Sequence, residues 1–296
     1  MNMNVKVVST STSCLDYYKE NHDIGLIRIK IYINDKEYTD GKNLTAYNFY
    51  NMLNENPKLV IKTSQVSLGE VINYFETIAQ KGYKTIFVTT LSKKLSGSYN
   101  VVLQSQKFLK NKIEIIPYNT NTVCFSEGYF ALEAKRLFSE GYSTEQVIKH
   151  LNFLKKNNTI FFVVNSLTQL INNGRLTKTK GFLGRFFKIK PILQVNEKGQ
   201  IIIIEKKFTI EAAFLSIIEK IKNYTKNKKF IMFILFTGNN NLREKLKSIL
   251  CQNFNLKNIL EIPSTPAIGA HVGNNVIGVG IIITEPNLKE EITNNI

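Results

Sequence analysis

The residues of this chain that could do chemistry are mostly hydroxyls, and they come in three groups. Ser9-Thr10-Ser11-Thr12 follows VKVV, Thr63-Ser64-Gln65-Val66-Ser67 follows LVIK, and Leu91 to Ser98, LSKKLSGS, follows TIFVTT. Each group sits where a β-rich run hands over to a helical pattern. In an open parallel sheet, ligands bind just beyond the carboxyl ends of the strands. A strand-to-helix turn that contains a glycine leaves backbone N–H groups aimed at one point, where the helix dipole favours an anion. The three loops could therefore surround a single negative group. Serine and threonine are also preferred helix caps, and Ser67, followed at the right distance by Glu70, reads as one half of a capping box. A fourth piece, AIGAHVGNNVIGVG (267–280), places His271 among glycines that let backbone approach closely. Its imidazole can donate a hydrogen bond to an anion or be a satisfied core group.

Several chemistries lack their residues. No G-x-x-x-x-G-K-[ST] or G-x-G-x-x-G stretch supports a nucleotide reading. A serine needs a base and an orienting group before it attacks a substrate. Here there is no G-x-S-x-G elbow, and no acidic residue stands in the loops around Thr63 or Ser96. Cys14, Cys124 and Cys251 are isolated, odd in number and unaccompanied by histidine at metal-ligand spacing. They read as reduced thiols, and no metal site is expected. The loops look able to hold a carboxylate or phosphate without attacking it.

The positioning elements alternate through the first half of the chain. VKVV (5–8), IRIKIYIN (27–34), KTIFVTT (84–90), IEIIP (113–117) and TIFFVV (159–164) read as strands, with amphipathic helical patterns between them. Ser67 to Glu70 and Ser143 to Gln146 fit capping boxes, and Gly82 and Gly141 stand where left-handed helix ends belong. This alternation predicts an α/β fold with an N-terminal, largely parallel α/β/α domain. From about residue 165 the connections change. PILQVNEKGQIIIIEKK reads as a hairpin with a Glu-Lys-Gly turn, followed by helix, strand, helix and strand. The expected organisation is a first domain over 1–165, allowed to be discontinuous, and a C-terminal α+β domain over 166–296. The second domain should have a mainly antiparallel sheet, with the ligand between the two.

The formal charge of +16 raises nucleic acid or an anionic membrane as a partner. The excess is nearly all lysine, with arginine only at 28, 136, 175, 185 and 243, and the lysines are dispersed rather than gathered on one helix face. A solvated surface explains this better, and no nucleic-acid partner is expected. No apolar run approaches the roughly 18 residues of a membrane span, and the N-terminus lacks the apolar core of a signal peptide. A cytoplasmic location is the expectation.

In this order and spacing the pieces resemble the DegV family, bacterial fatty-acid-binding proteins that act as the carrier subunit of fatty acid kinase. The resemblance spans nearly the whole chain. The family's T-D-S-T is met by Ser9 to Thr12, its Y-x-D-G by Tyr38 to Gly41, and its T-S-Q-P-S by Thr63 to Ser67. Its S-S-x-L-S-G-T-Y is met by Ser92 to Tyr99, and its G-G-R-I with a following K-P-I-L by Asn173 to Leu176 and Lys190 to Leu193. Its H-x-G-P-G is met by His271 to Asn275. The resemblance implies two domains with a long-chain fatty acid buried between them. The carboxylate would be held by Thr63, Ser96 and His271, with Ser64 and Gly97 as neighbours. It also places Arg175, next to Gly174, beside the head group or at the partner's docking surface. The plainer role for Arg175 is to bond carbonyls after a helix stop at Gly174.

The implied protein is a non-catalytic carrier with no cofactor. Its partner would be an ATP-dependent kinase that converts the bound carboxylate to an acyl phosphate for phospholipid synthesis, with transient membrane-surface contact. Thr10, Val66, Lys93, Lys207 and Asn274-Asn275 depart from the family pattern, and those at 10 and 207 remove groups that could face the kinase. Some fifteen buried methylenes would contribute about 12 kcal/mol gross, so the tail supplies affinity. A buried carboxylate needs donors to offset its desolvation. Two other expectations compete: an enzyme acting on acyl or phosphoryl groups in the same cleft, and a binder of RNA or membrane driven by charge.

Overall fold

The computed structural model describes residues 4–176, 189–238 and 241–284. In chain order the elements are β1 (Val5–Thr10), β2 (Gly25–Ile27), β3 (Lys30–Ile33), β4 (Lys36–Thr39), α1 (Ala46–Glu55), β5 (Ile61–Ser64), α2 (Leu68–Gln80) and β6 (Thr85–Thr90). There follow α3 (Ser98–Leu109), β7 (Glu114–Asn119), α4 (Phe125–Ser139), α5 (Thr144–Lys156), β8 (Asn158–Val163), α6 (Thr168–Asn172), β9 (Lys190–Val195) and β10 (Ile201–Lys207). The chain continues with α7 (Ile210–Thr225), β11 (Phe230–Phe236), α8 (Leu242–Phe254), β12 (Leu260–Pro263), α9 (Pro266–Val272) and β13 (Ile277–Ile283).

Three sheets result. β2-β1-β6-β7 is a four-stranded sheet paired in parallel throughout. β10-β9-β8-β13-β11-β12 is six-stranded and antiparallel except where β11 meets β12. β4-β3-β5 is a small antiparallel sheet. The fold is thus mixed α/β, with an N-terminal parallel sheet flanked by helices and a mainly antiparallel C-terminal sheet, as the alternation and the hairpin grammar predict.

Local sequence explains the helices that position the loops. α2 begins at a capping box in which the Ser67 hydroxyl accepts from Glu70 N–H while the Glu70 carboxylate accepts from Ser67 N–H. Its Val71, Phe75 and Ile78, spaced on one face, pack against Ile86 and Val88 of β6. α5 starts at the second capping box, Ser143 with Gln146. Gly82 and Gly141 have φ of +90° and +87° at the ends of α2 and α4, where a left-handed residue terminates a helix.

Three strand expectations are corrected. IRIKIYIN is two strands in different sheets. It breaks at Arg28 and Ile29 because the Arg28 guanidinium donates to Asp16 (Nη2 to Oδ1, 2.9 Å) and Ile29 N–H donates to Ser11 Oγ at 3.2 Å. The run leading to Thr63 forms β5 of the small antiparallel sheet, not a strand of the parallel one. TIFFVV forms β8, which pairs antiparallel with β13 and β9. Both faces of β8 are covered, so it lacks the alternation that marks a half-exposed strand. We propose that the division into two units follows sheet membership, which assigns β8 to the second unit and puts the boundary before Asn158 rather than at 165.

The six-stranded sheet has two distinct faces. Ile160, Phe162, Leu193, Val195, Ile201, Phe233 and Leu235 point into a core shared with α4 and the loops after β1, β6 and β7. Phe161, Val163, Ile234, Val279 and Ile281 point to the other side, under α7 and α8. Among the described residues no helix is long and apolar enough to cross a membrane.

Candidate ligand-binding cavity

Where the first of those faces meets the loops of the parallel sheet, a cavity of about 390 Å³ opens. Its walls are mainly aliphatic and aromatic, and its polar lining includes Thr63, Ser64, Gln65, Ser96, Gly97, Arg175 and His271. Six of the seven site residues expected from the sequence therefore line one space. The exception is Gly174. Its φ of +66° ends α6 and turns the chain so that Arg175 N–H reaches Leu170 C=O at 2.9 Å, which aims the next side chain at the cavity.

Thr63 stands near the end of β5 and His271 in the last turn of α9, and Thr63 Oγ1 lies 2.8 Å from His271 Nε2. Burial holds the imidazole well below its ordinary value, to about 4, and the nearby Arg175 charge adds to that effect. His271 is therefore neutral at physiological pH. A neutral imidazole carries one N–H and threonine one O–H. Their mutual bond uses one proton, so one remains, on Thr63 Oγ1 or on His271 Nδ1. Nδ1 is buried and has no hydrogen-bond partner among the described residues. Either tautomer leaves the pair one donor to offer.

Ser96 and Gly97 precede α3, whose N-terminus opens at the cavity. Ser96 Oγ accepts from Ser98 N–H at 3.2 Å and lies 3.0 Å from Ser98 Oγ. It serves as a cap and as cavity lining at once. A Cβ on Gly97 would collide with the Gln65 side-chain amide, so the loops after β5 and before α3 touch directly. Arg175 Nε donates to Leu95 C=O at 3.1 Å, and its Nη1 donates to Asn173 C=O. Among the described residues Arg175 has no carboxylate partner. Arg175 thus bonds carbonyls after the helix stop at Gly174, and its side chain also lines the cavity.

The DegV family model matches residues 4–284. This chain belongs to the DegV family. A DegV domain-containing protein of Staphylococcus aureus strain N315 is 30% identical over 279 residues, covering 93% of this chain and 98% of that one. DegV of Bacillus subtilis, described as a fatty acid binding protein, is 25% identical with a TM-score of 0.84, covering 95% of this chain and all of that one, 100%. A stearic acid-binding protein of Eubacterium ventriosum shares the fold at 22% identity and a TM-score of 0.84, covering 94% and 98% of the two chains.

Behind the cavity wall of this DegV chain lie two buried carboxyls that sequence reasoning missed. Glu127, in the first turn of α4, reaches the loop after β1. Its Oε1 accepts from Thr10 Oγ1 at 2.5 Å and its Oε2 from Thr12 Oγ1 at 2.7 Å, with Ser9 Oγ at 3.3 Å. Burial pushes it up to about 7 despite these donors. Asp40, at the Y-x-D-G stretch, accepts from Ser11 Oγ at 2.7 Å and from Ala267 N–H in the first turn of α9 at 3.3 Å. Burial raises it to about 6. Asp40 thereby ties α9, and with it His271, to the loop after β1. The sequence hints were the Y-x-D-G stretch that contains Asp40 and the hydroxyl run Ser9 to Thr12, which needs an acceptor when buried. Among the described residues no group of three His, Cys, Asp or Glu could hold a metal ion.

Proposed function

We propose that this chain binds a long-chain fatty acid in the cavity and holds its carboxylate through Thr63, Ser96 and His271, with Ser64 and Gly97 beside them and Arg175 at the head group. One observation carries the proposal. Neutral donors with a spare proton, and an arginine without an acidic partner among the described residues, meet on the wall of a cavity whose remaining lining is mainly apolar. Apolar surface around a few placed polar groups suits an amphiphile with a greasy body and one charged end. The fatty-acid-binding relative at 25% identity supports the same ligand class.

The role is that of a cytoplasmic, non-catalytic carrier that presents the carboxylate to a partner ATP-dependent kinase for acyl-phosphate formation, touching membranes transiently to exchange lipid. This finer part rests on the family resemblance. It agrees with the Thr63 and Ser96 hydroxyls and the neutral His271 imidazole, which can satisfy carboxylate oxygens without carrying charge themselves. Denaturing mass spectrometry of solvent extracts from freshly purified protein tests the ligand class. Near-stoichiometric fatty acid is expected, and extracts free of lipid from folded protein overturn the proposal. Turnover of acyl or phosphoryl compounds by the purified chain alone would instead favour an enzyme.

A further inference from the structure

The face of the six-stranded sheet that meets the cavity has a gap in its side chains. β13 places positions 278 and 280 on that face, and both are glycine. Gly278 pairs with Phe162 of β8 on one side and Leu235 of β11 on the other. Gly280 likewise lies between Ile160 and Phe233. The result is a trough with a backbone floor and side-chain walls, about 10 Å across from strand to strand. The trough starts at the head-group end, since β13 follows α9 and His271 within a few residues.

The two glycines differ in what covers them. Gly278 lines the cavity together with Ile160, Phe162 and Leu235, whereas Gly280 and Phe233 do not. A Cβ on Gly278 would meet the backbone and Cβ of β8, at 2.7 Å from Phe161 O and 2.6 Å from Phe162 Cβ. On Gly280 it would strike the Phe233 ring. The ring therefore lies across the bare floor and closes the trough over Gly280, while Ile160, in register with Gly280 on β8, still lines the open space beside it. The ring is held there edge-on by Phe125, with centroids 5.1 Å apart and planes at 88°. Phe125 directly follows Cys124, another lining residue.

We propose that Phe233, laid over Gly280 and braced by Phe125, is the stop that sets the length of acyl chain this protein accepts. An extended tail runs from the head-group residues down the glycine floor of β13 until its methyl end meets the ring. Removing the ring opens the trough over Gly280 to further methylenes. The inference rests on the fatty-acid reading and deepens it by naming what selects among fatty acids.

The test uses the full chain as wild type, Phe233→Leu, Phe233→Ala and Gly280→Ala, each checked for a cooperative thermal transition, delipidated, and titrated with saturated fatty acids of increasing length. Phe233→Leu keeps an apolar side chain where Phe233→Ala could fail to fold. Both should shift the preferred chain to greater length, with about fourfold in affinity for each methylene newly accommodated. Gly280→Ala forces the ring toward the open cavity and should shift the preference to shorter chains. Wild type that binds fatty acids, with the same length preference in every folded variant, overturns this inference and leaves the ligand class standing. Wild type that binds none overturns both.

Discussion

Thr63 Oγ1 and His271 Nε2 stand 2.8 Å apart although 208 residues separate them in the chain. β5 brings one and α9 the other, so the bond exists only when the small antiparallel sheet and the C-terminal segment are folded together. The pair has two mobile protons and uses one internally. What it offers a ligand is a neutral donor, kept neutral because burial and Arg175 disfavour the imidazolium.

Replacing Thr63 with valine keeps the side chain's shape and removes its hydroxyl. Hydrogen bonds to charged groups contribute roughly 1.5–3 kcal/mol, so Thr63→Val should weaken fatty acid binding by roughly tenfold to a hundredfold, as should His271→Ala. Because the two act as one unit, the double variant should lose less than the product of the single losses. Calorimetric titration of the four proteins measures this, and strictly multiplicative losses would show that the two residues act separately.

Arg175 lowers the basicity of His271. In Arg175→Ala the imidazole should titrate at a higher pH than in wild type, yet still below the ordinary histidine value, because burial is the larger cause. NMR titration of the His271 ring reports this directly. An unchanged midpoint would mean that the guanidinium and the imidazole do not sense one another. The same variant addresses the kinase: lipid bound normally but not phosphorylated points to partner docking, whereas weakened lipid binding points to the head group.

Glu127 holds its proton up to about pH 7 in the folded protein, against an ordinary value of 4.5. The folded state binds more protons than the unfolded state in that window, so this group's contribution to stability is full below about 4.5 and is lost as pH rises through about 7. Asp40 acts in the same direction between 3.8 and about 6. His271 acts oppositely, losing stability as pH falls from 6.5 toward about 4. Comparing urea melts of wild type and Glu127→Gln isolates the glutamate. The variant should gain on wild type as pH rises from 5 to 7, by at most about 1.4 kcal/mol per pH unit. A stability difference constant over that range would mean that Glu127 titrates normally.

Gly97→Ala places a methyl group against the Gln65 amide. That amide is the far end of a flexible side chain and can move aside, so thermal stability should fall little. The segments that carry Ser96 and Ser64, which meet at this contact, should still be displaced, and fatty acid affinity should drop severalfold. A large stability loss with intact binding would show that the contact is structural alone.

The polar end of the cavity was more legible in the sequence than its apolar end. Hydroxyls after β-rich runs, a glycine at a helix start and a histidine between glycines are local signals, and Thr12, Thr63, Ser64, Ser96, Gly97 and His271 line one cavity, whereas Ser9, Thr10 and Ser11 bond Glu127 and Asp40 instead. Ser67 was equally legible as a cap through Glu70. The misplacement of β8 has a physical cause. Its six residues are all buried, and a strand covered on both faces has no alternation to tell a parallel neighbour from an antiparallel one. The break at Arg28 was hidden because it depends on Asp16 and Ser11, partners that only folding supplies. Glu127 was missed because a glutamate in the first turn of a helix is ordinary on an exposed surface, and nothing local says that this turn is buried. The glycine floor of β13 lay in plain view in GVG, but its meaning depends on Phe162 and Phe233 across two strand registers.

The most direct measurement is calorimetric titration of delipidated protein with a long-chain fatty acid and, in parallel, with its methyl ester. The ester has the same tail but no charged end. One acid bound per chain, with the ester weaker by at least about tenfold, is the expected result. Equal affinity for acid and ester, or no saturable binding of either, would contradict a carboxylate held by Thr63, Ser96 and His271.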